Sequence, residues 1–116
     1  MTASSIRPSV DGFRQFSRDG WTVVEISGEI DIARTPAIHR VLADHPSPGR
    51  LVIDLTRVVF MDVSGLTLLV AAWNRAQACE GEFRIVFTKG PVQRLLEITG
   101  YDTVLPLVGS LNDVGR

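Results

Sequence analysis

One stretch of the chain limits the possible folds more than any other: residues 54–70, which read DLTRVVFMDVSGLTLLV. An apolar run leads through a small polar corner into a segment that is compatible with a helix. The corner holds a carboxylate, a hydroxyl and a glycine, in Asp62, Ser64 and Gly65. Backbone N–H groups at the start of a helix lack partners within the helix and carry partial positive charge. The corner (residues 62–65) therefore suits an anion or a phosphorylated side chain.

A β-hairpin is predicted ahead of this stretch. Residues 13–17 alternate apolar and polar side chains, as a half-exposed strand does. Residues 21–27 are rich in β-branched side chains, and Asp19-Gly20 between the two segments favours a tight turn. The two segments are predicted to pair as antiparallel strands, with the second strand ending at Gly28.

Three helices are predicted in the rest of the chain. The first begins with Thr35 as its N-cap and Pro36 in its first turn. The second covers about residues 64–79 and stops near Gly81, and the third opens at Pro91. The strands predicted to separate the helices are residues 51–55, residues 83–87 and a short strand within 104–108.

Strands that alternate with helices form parallel pairs joined by right-handed crossovers. The sequence therefore predicts an α/β fold with a mixed, mostly parallel sheet of four or five strands, an N-terminal antiparallel hairpin and three to four packed helices. A length of 116 residues fits a single domain with one core. Residues 1–10 are polar and contain proline, which predicts a flexible lead-in before a folded domain over residues 11–116.

Charge and hydropathy argue against several classes of partner. The formal net charge is −1 and no basic run stands out, so we expect no direct binding of nucleic acid or of an anionic membrane. No run of about eighteen apolar residues is present, and the start of the chain has no signal-peptide pattern. The chain is expected to be cytoplasmic.

The residues give little support to a metal site or a cofactor. Cys79 is the single cysteine, which excludes an intrachain disulfide, and His39 and His45 have no second type of ligand at metal-binding spacing. A phospho-aspartate receiver would use Asp54 or Asp62 together with a lysine, but the acidic pair expected after the first strand is missing. The motifs of nucleotide-binding enzymes and of serine hydrolases are also missing. We expect neither a metal nor a cofactor, and no enzymatic activity.

The polar residues considered for the site also have purely structural interpretations. A serine at the start of a helix is most often a capping or first-turn residue, which contributes about 1 kcal/mol. Asp62 is itself a candidate N-cap that would accept hydrogen bonds from the backbone N–H of Ser64 or Gly65. Glu29 and Asp31 are, by default, loop carboxylates in water.

Three segments, taken together and in their order along the chain, favour a functional interpretation over the purely structural one. They resemble the STAS domain family and, more narrowly, the bacterial anti-sigma factor antagonists. The resemblance covers residues 13–114 approximately, and the corner motif is its most specific part. The segments read Gly28-Glu29-Ile30-Asp31, then Phe60-Met61-Asp62-Val63-Ser64-Gly65-Leu66, then Pro91-Val92-Gln93-Arg94-Leu95-Leu96-Glu97-Ile98-Thr99-Gly100.

This resemblance implies a partner switch that acts in the regulation of transcription. The unphosphorylated protein would bind a cognate anti-sigma factor that is also a serine kinase, and so release the sigma factor. Phosphorylation of Ser64 would abolish binding, and a PP2C-type phosphatase would restore it. The resemblance places the partner-binding residues at Glu29, Asp31, Asp62, Val63, Ser64 and Gly65.

The sequence departs from the family pattern at Val63, where many members carry a second serine. This departure removes an alternative phosphate acceptor and leaves Ser64 in place. A STAS scaffold or ligand-binding module without a working phosphoswitch remains the alternative function.

Overall fold

The structure is a computed structural model that describes residues 7–10, 12–43 and 49–114. Within these residues one sheet has six strands, and their spatial order follows their order in the chain. The strands are β1 (Arg7–Val10), β2 (Phe13–Arg18), β3 (Trp21–Ile30), β4 (Arg50–Met61), β5 (Glu82–Val86) and β6 (Leu107–Val108). The α-helices are α1 (Thr35–Ala43), α2 (Val63–Ala78) and α3 (Pro91–Thr99).

The pairing of the strands confirms the predicted α/β architecture. β2 pairs antiparallel with β1 and β3, whereas β3–β4, β4–β5 and β5–β6 are parallel pairs. The hairpin turn lies at Asp19 and Gly20, whose φ angles of 51° and 85° are those a two-residue turn between twisted strands requires. The sheet has one strand more than predicted, because Arg7–Val10 pairs with β2 inside the expected lead-in. Residues 1–6 of that lead-in, and His45, lie outside the described residues.

The strands β3 and β4 are both longer than the sequence predicted. β3 does not end at Gly28 but continues to Ile30, with register shifts relative to β4 on either side of Gly28. β4 unites two apolar runs that are separated by Thr56 and Arg57. Beyond Asp54, β4 pairs with β3 and no longer with β5, so these two polar residues face solvent without interrupting the strand.

The main core fills the space between one face of the sheet and the three helices. Ile26, Ile53 and Ile85 from the strands pack in one cluster with Leu69 of α2 and Leu96 of α3. Because side chains alternate across a strand, the neighbouring positions point to the other face. There they form a smaller cluster that Leu111 and Val114 of the C-terminal segment help to cover; its buried members are Trp21, Val23, Val52 and Val86.

The helix ends differ from the prediction in two places. The prediction of Thr35 as an N-cap is wrong: a 3-10 turn, Ile32–Arg34, comes first, and Thr35 is the first residue of α1. At the end of α2, the left-handed residue is Glu80, with a φ of 58°, rather than Gly81. Gly81 is required for space, since a Cβ atom there would lie 2.7 Å from the carbonyl oxygen of Gly49.

The chain ends in short elements. β6 is shorter than the predicted last strand, and Leu111–Asp113 forms only a 3-10 turn. In the part of the chain that the structure describes, no helix is both long and apolar enough to cross a membrane.

Candidate functional site

The register of β3 and β4 brings the corner and the loop 28–31 to one edge of the sheet. Glu29 lies beside Phe60, and Ile30 lies beside Met61. The backbone N–H of Asp62 donates to the carbonyl oxygen of Ile30 at 3.1 Å. Parallel strands present their carboxyl ends at the same edge, which is where α/β sheets place binding residues. We call residues 28–31, which are the end of β3 together with Asp31, the acidic loop.

The Asp62 carboxylate binds the next residues of the corner, Ser64 and Gly65, through hydrogen bonds. Its Oδ1 accepts hydrogen bonds from the backbone N–H of Ser64 at 2.9 Å, from that of Gly65 at 3.3 Å, and from the Ser64 hydroxyl. Asp62 has extended backbone geometry, with φ −101° and ψ −175°, and it immediately precedes α2. The interpretation of Asp62 as an N-cap is therefore confirmed.

The hydrogen bonds to the Asp62 carboxylate favour its ionised form. The hydrogen bond from the Ser64 hydroxyl lowers the pKa of Asp62, with further contributions from the backbone N–H groups of Gly65, Ser64 and Ile32, while partial desolvation opposes them. Asp62 is consequently ionised at neutral pH and acts as a hydrogen-bond acceptor. The link between this corner and the acidic loop is a main-chain one, from the N–H of Asp62 to the carbonyl oxygen of Ile30.

Ser64 is half-buried and lies in the first turn of α2. Its hydroxyl hydrogen is directed at Asp62, so the oxygen lone pairs point away from the carboxylate. Val63 beside it is 63% exposed and carries no hydroxyl. The corner therefore presents one oriented hydroxyl oxygen at the start of a helix, where backbone N–H groups favour negative charge.

Gly65 lets the helix approach the sheet closely. It is buried, and a Cβ atom at this position would lie 2.6 Å from Ile30 Cγ2 and 2.6 Å from Met61 Cγ. Real Cβ atoms do not come that near, so glycine is the residue that fits. The absence of a side chain at Gly65 seats the first turn of α2 directly on the ends of β3 and β4.

In the acidic loop, the two carboxylates are in different situations. Glu29 is exposed. Asp31 is the N-cap of the 3-10 turn, where its Oδ1 accepts from the backbone N–H of Arg34 at 3.2 Å. The side chain of Arg34 turns back and donates to the carbonyl oxygens of Ser27 and Glu29. Sequence reasoning did not single out Arg34, because a contact between an arginine and main-chain carbonyls leaves no local pattern.

Exposed apolar side chains surround the carboxylates. Ile32, which directly follows the acidic loop, is 74% exposed, and Phe60, which pairs with Glu29, is 46% exposed. Sequence reasoning did not identify Ile32 as part of this surface, although an apolar residue directly after an acidic loop is a usable signal. Apolar side chains grouped at the surface with polar ones are typical of protein–protein interfaces.

Asp54 does not join Asp62 in an acidic pocket. It is buried within β4, and its Oδ1 accepts from the backbone N–H and the hydroxyl of Thr56, at 2.9 and 2.7 Å. Asp62 lies eight positions beyond Asp54 along an extended strand, a distance of roughly 26 Å. The arrangement that a phospho-aspartate receiver would need is therefore not formed by these two residues.

Similarity to known proteins is consistent along nearly the whole chain. The family model of the STAS domain matches residues 16–114. The chain is 34% identical over 99 residues to the anti-sigma-F factor antagonist RsfB of Mycobacterium tuberculosis, which covers 82% of this chain and 79% of that protein. It is 28% identical over 96 residues to the anti-sigma F factor antagonist of Paenibacillus polymyxa, covering 76% and 78% of the two chains.

Solved structures show the same fold. An anti-sigma factor antagonist from Mycobacterium paratuberculosis superposes with a TM-score of 0.74 at 32% identity, covering 96% of this chain and 88% of that one. The anti-sigma factor antagonist SpoIIAA in its unphosphorylated form gives a TM-score of 0.62 at 15% identity, covering 96% and 92%. The second likeness concerns the fold alone.

Proposed function

The chain belongs to the STAS domain family, and from that premise we propose that it is an anti-sigma factor antagonist controlled by phosphorylation of Ser64. In its unphosphorylated form it binds a cognate anti-sigma factor that is also a serine kinase, and the sigma factor is released. Phosphorylation abolishes this binding, and a PP2C-type phosphatase reverses it. The protein acts by binding rather than as an enzyme, and it works in the cytoplasm, where its partners use ATP and control transcription.

The observation that carries the proposal is the position of the Ser64 hydroxyl. It is partly accessible, it is oriented by Asp62, and it stands at the same sheet edge as the acidic loop. A kinase that docks on this edge would have the hydroxyl oxygen in front of it with the lone pairs directed outwards. Relatives named anti-sigma factor antagonists support this choice of partner.

The docking surface in this proposal combines charge with apolar area. Glu29, Asp31 and Asp62 supply carboxylates, and Val63 supplies an exposed apolar side chain beside Ser64. Mixed surfaces of this kind give a partner both burial of apolar area and a complementary charge pattern. Gly65 is buried, so we assign it the role of seating the corner rather than of touching the partner.

Phosphorylation would turn the attraction between Ser64 and Asp62 into repulsion. At present the Ser64 hydroxyl donates a hydrogen bond to the Asp62 carboxylate. A phosphate on the same oxygen removes that donor and adds about −1.5 to −2 charges next to an existing anion. In the free chain, solvent and the N-terminus of α2 make the added charge tolerable. At a docked surface the water is excluded and the repulsion becomes stronger.

A modest energetic difference is enough for a switch. A loss of about 3 kcal/mol in binding free energy lowers the affinity more than a hundredfold. No rearrangement of the fold is needed to produce it, because the charge is added at the surface itself.

Labelling with ATP tests the proposal. The anti-sigma factor serine kinases of the source organism are purified, and each is incubated with the wild-type chain, with Ser64→Ala and with Thr67→Ala. Thr67 is the matched control, since its hydroxyl is exposed in α2 near Ser64 and donates to the carbonyl oxygen of Val63 at 3.0 Å. We expect wild type and Thr67→Ala to be labelled and Ser64→Ala to remain unlabelled. Equal labelling of Ser64→Ala would show that the site is elsewhere.

The alternative is a STAS scaffold or ligand-binding module without a phosphoswitch. The hydrogen bond from Ser64 to Asp62 favours it, because a purely structural first-turn serine would make the same bond. In that case none of the kinases would label the wild-type chain.

A further inference from the structure

The guanidinium of Arg34 lies behind the acidic loop. Its Nη1 donates to the carbonyl oxygen of Ser27 at 2.8 Å and also to the carbonyl oxygen of Glu29. These two carbonyls stand on either side of Gly28. One nitrogen therefore fixes the main chain on both sides of the glycine.

The main chain at this point is irregular. Gly28 has a φ of 86°, and the register between β3 and β4 shifts directly after it. Such an irregularity takes carbonyl groups out of the regular ladder of hydrogen bonds. Arg34 supplies a side-chain donor to the two carbonyls that flank the irregularity.

The guanidinium has little room to move. It lies over the ring of Phe13, 5.0 Å from the ring centroid. Gly12, with a φ of 82°, forms the opposite boundary: a Cβ atom there would lie 2.8 Å from Arg34 Nη2 and 2.9 Å from the carbonyl oxygen of Ser27. The N–H of Ser27 donates to the carbonyl oxygen of Gly12 at 2.8 Å, which ties this boundary to the loop.

Arg34 makes a hydrogen bond with each of the two acidic residues of the loop. Its backbone N–H is bound by the Asp31 carboxylate, and its side chain is bound to the carbonyl of Glu29. The direction in which the two loop carboxylates leave the main chain thus depends on a residue that belongs to neither the acidic loop nor the corner.

We propose that Arg34 is a positioning residue for partner docking, because it holds the acidic loop in the conformation that the anti-sigma factor kinase binds. The inference rests on the proposed function for its partner, but the ordering of the loop is a property of the free chain. A loop that is already ordered does not have to be ordered during association, and this raises affinity.

Hydrogen exchange on the free chain tests the ordering. Arg34→Met keeps the aliphatic part of the side chain and removes the donors, whereas Gly12→Ala displaces the guanidinium with its charge intact. Arg40→Met on the exposed side of α1 is the matched control for loss of one positive charge. We expect the amides of residues 28–31 to exchange at least tenfold faster in the first two variants, while the amides of β4 at 51–54 and the control remain as in wild type.

Kinase binding and kinetics test the positioning role. With the kinase that phosphorylates wild type, Arg34→Met should lower the affinity on the order of tenfold and raise KM for Ser64 phosphorylation with kcat unchanged. Arg34→Lys, which keeps the charge but offers a compact ammonium, should recover part of the affinity and of the slow exchange.

Four results would overturn the inference, and the first three concern exchange and affinity. They are unchanged exchange of residues 28–31 in Arg34→Met, faster exchange with unchanged affinity, and an equal loss of affinity in Arg40→Met. A fall in kcat without a change in KM would also overturn it, since it would place the effect at the Ser64 hydroxyl. A wild-type chain that binds none of the kinases would refute the proposed function, and the exchange data would still decide whether Arg34 orders the acidic loop.

Discussion

Replacing Gly65 by alanine adds one methyl group at the closest approach between α2 and the sheet. The new Cβ would lie 2.6 Å from a side-chain carbon of Ile30 and 2.6 Å from one of Met61. Both neighbours are buried, with 2% and 4% of their surface exposed, so neither can simply turn out into water. The first turn of α2 therefore has to move away from the ends of β3 and β4.

Two opposing effects set the size of the change. Forcing extra volume into a packed core costs about 1–3 kcal/mol. Alanine is better than glycine in a helix by roughly 0.5–1 kcal/mol, and less than that in a first turn. The core effect wins because two buried side chains must shift at once. We expect Gly65→Ala to lower the free energy of unfolding by about 1–2 kcal/mol, which corresponds to a fall of roughly 4–8 °C in Tm for a domain of this size.

Thermal and urea unfolding measure this loss, with Gly109→Ala as the control. A Cβ atom at Gly109 would meet only Asp113 Oδ2, at an ordinary 3.7 Å, so this variant should unfold within about 0.5 kcal/mol of wild type. Because the first turn carries Ser64, Gly65→Ala should also slow phosphorylation at temperatures where it is fully folded. A Gly65→Ala protein that is as stable as wild type, or more stable, would refute the argument that close packing selects glycine here.

Further predictions concern the carboxylate, the hydroxyl and the end of α2. Ser64→Asp should weaken kinase binding at least tenfold in calorimetry while Thr67→Asp weakens it less than threefold; equal effects would argue against a charge placed at Ser64. The lowered pKa of Asp62 means that its contribution to stability is present above the unfolded pKa of about 3.9 and is lost as pH falls through the folded value. The difference in Tm between wild type and Asp62→Asn should therefore shrink from pH 7 to pH 3, and a constant difference would contradict this assignment. Gly81→Ala should destabilise by about 1–3 kcal/mol in urea unfolding, because its Cβ would meet main chain rather than a movable side chain.

The fold was predictable where local chemistry and tertiary structure agree. The Asp19-Gly20 turn formed as its residue types require, and Asp62 caps α2 as a carboxylate before a helix should. The alternation of strands and helices was enough to predict the parallel pairs. These features depend on neighbours in sequence, which is why composition and spacing reveal them.

Other features were missed because long-range pairing decides them. Arg7–Val10 has no strand-like pattern and forms a strand through its pairing with β2. Thr35 looked like a cap, but the carboxylate of Asp31 had already started a 3-10 turn ahead of it. The contacts of Arg34 depend on an irregularity at Gly28 that only the completed sheet defines.

The parts of the proposed site differ in how far the sequence predicts them. The carboxylate and hydroxyl of the corner could be predicted from helix-start chemistry. The acidic loop was predicted only from the family resemblance, because no rule of sequence spacing links it to residues 62–65. The exposed Ile32 was not part of the predicted site.

The pairing of Ile30 with Met61 has a kinetic consequence for a kinase. The surface that the kinase would bind forms only while the last residues of β3 and β4 are paired. The end of β3 contributes the acidic loop, and the end of β4 leads into the corner. Strand ends fray more readily than strand centres. A substitution that loosens this end, even far from Ser64, should therefore reduce phosphorylation in proportion to the fraction of time the end is open. The rate of labelling then reports how often this end of the sheet unfolds locally. A chain that has not finished folding would not be phosphorylated.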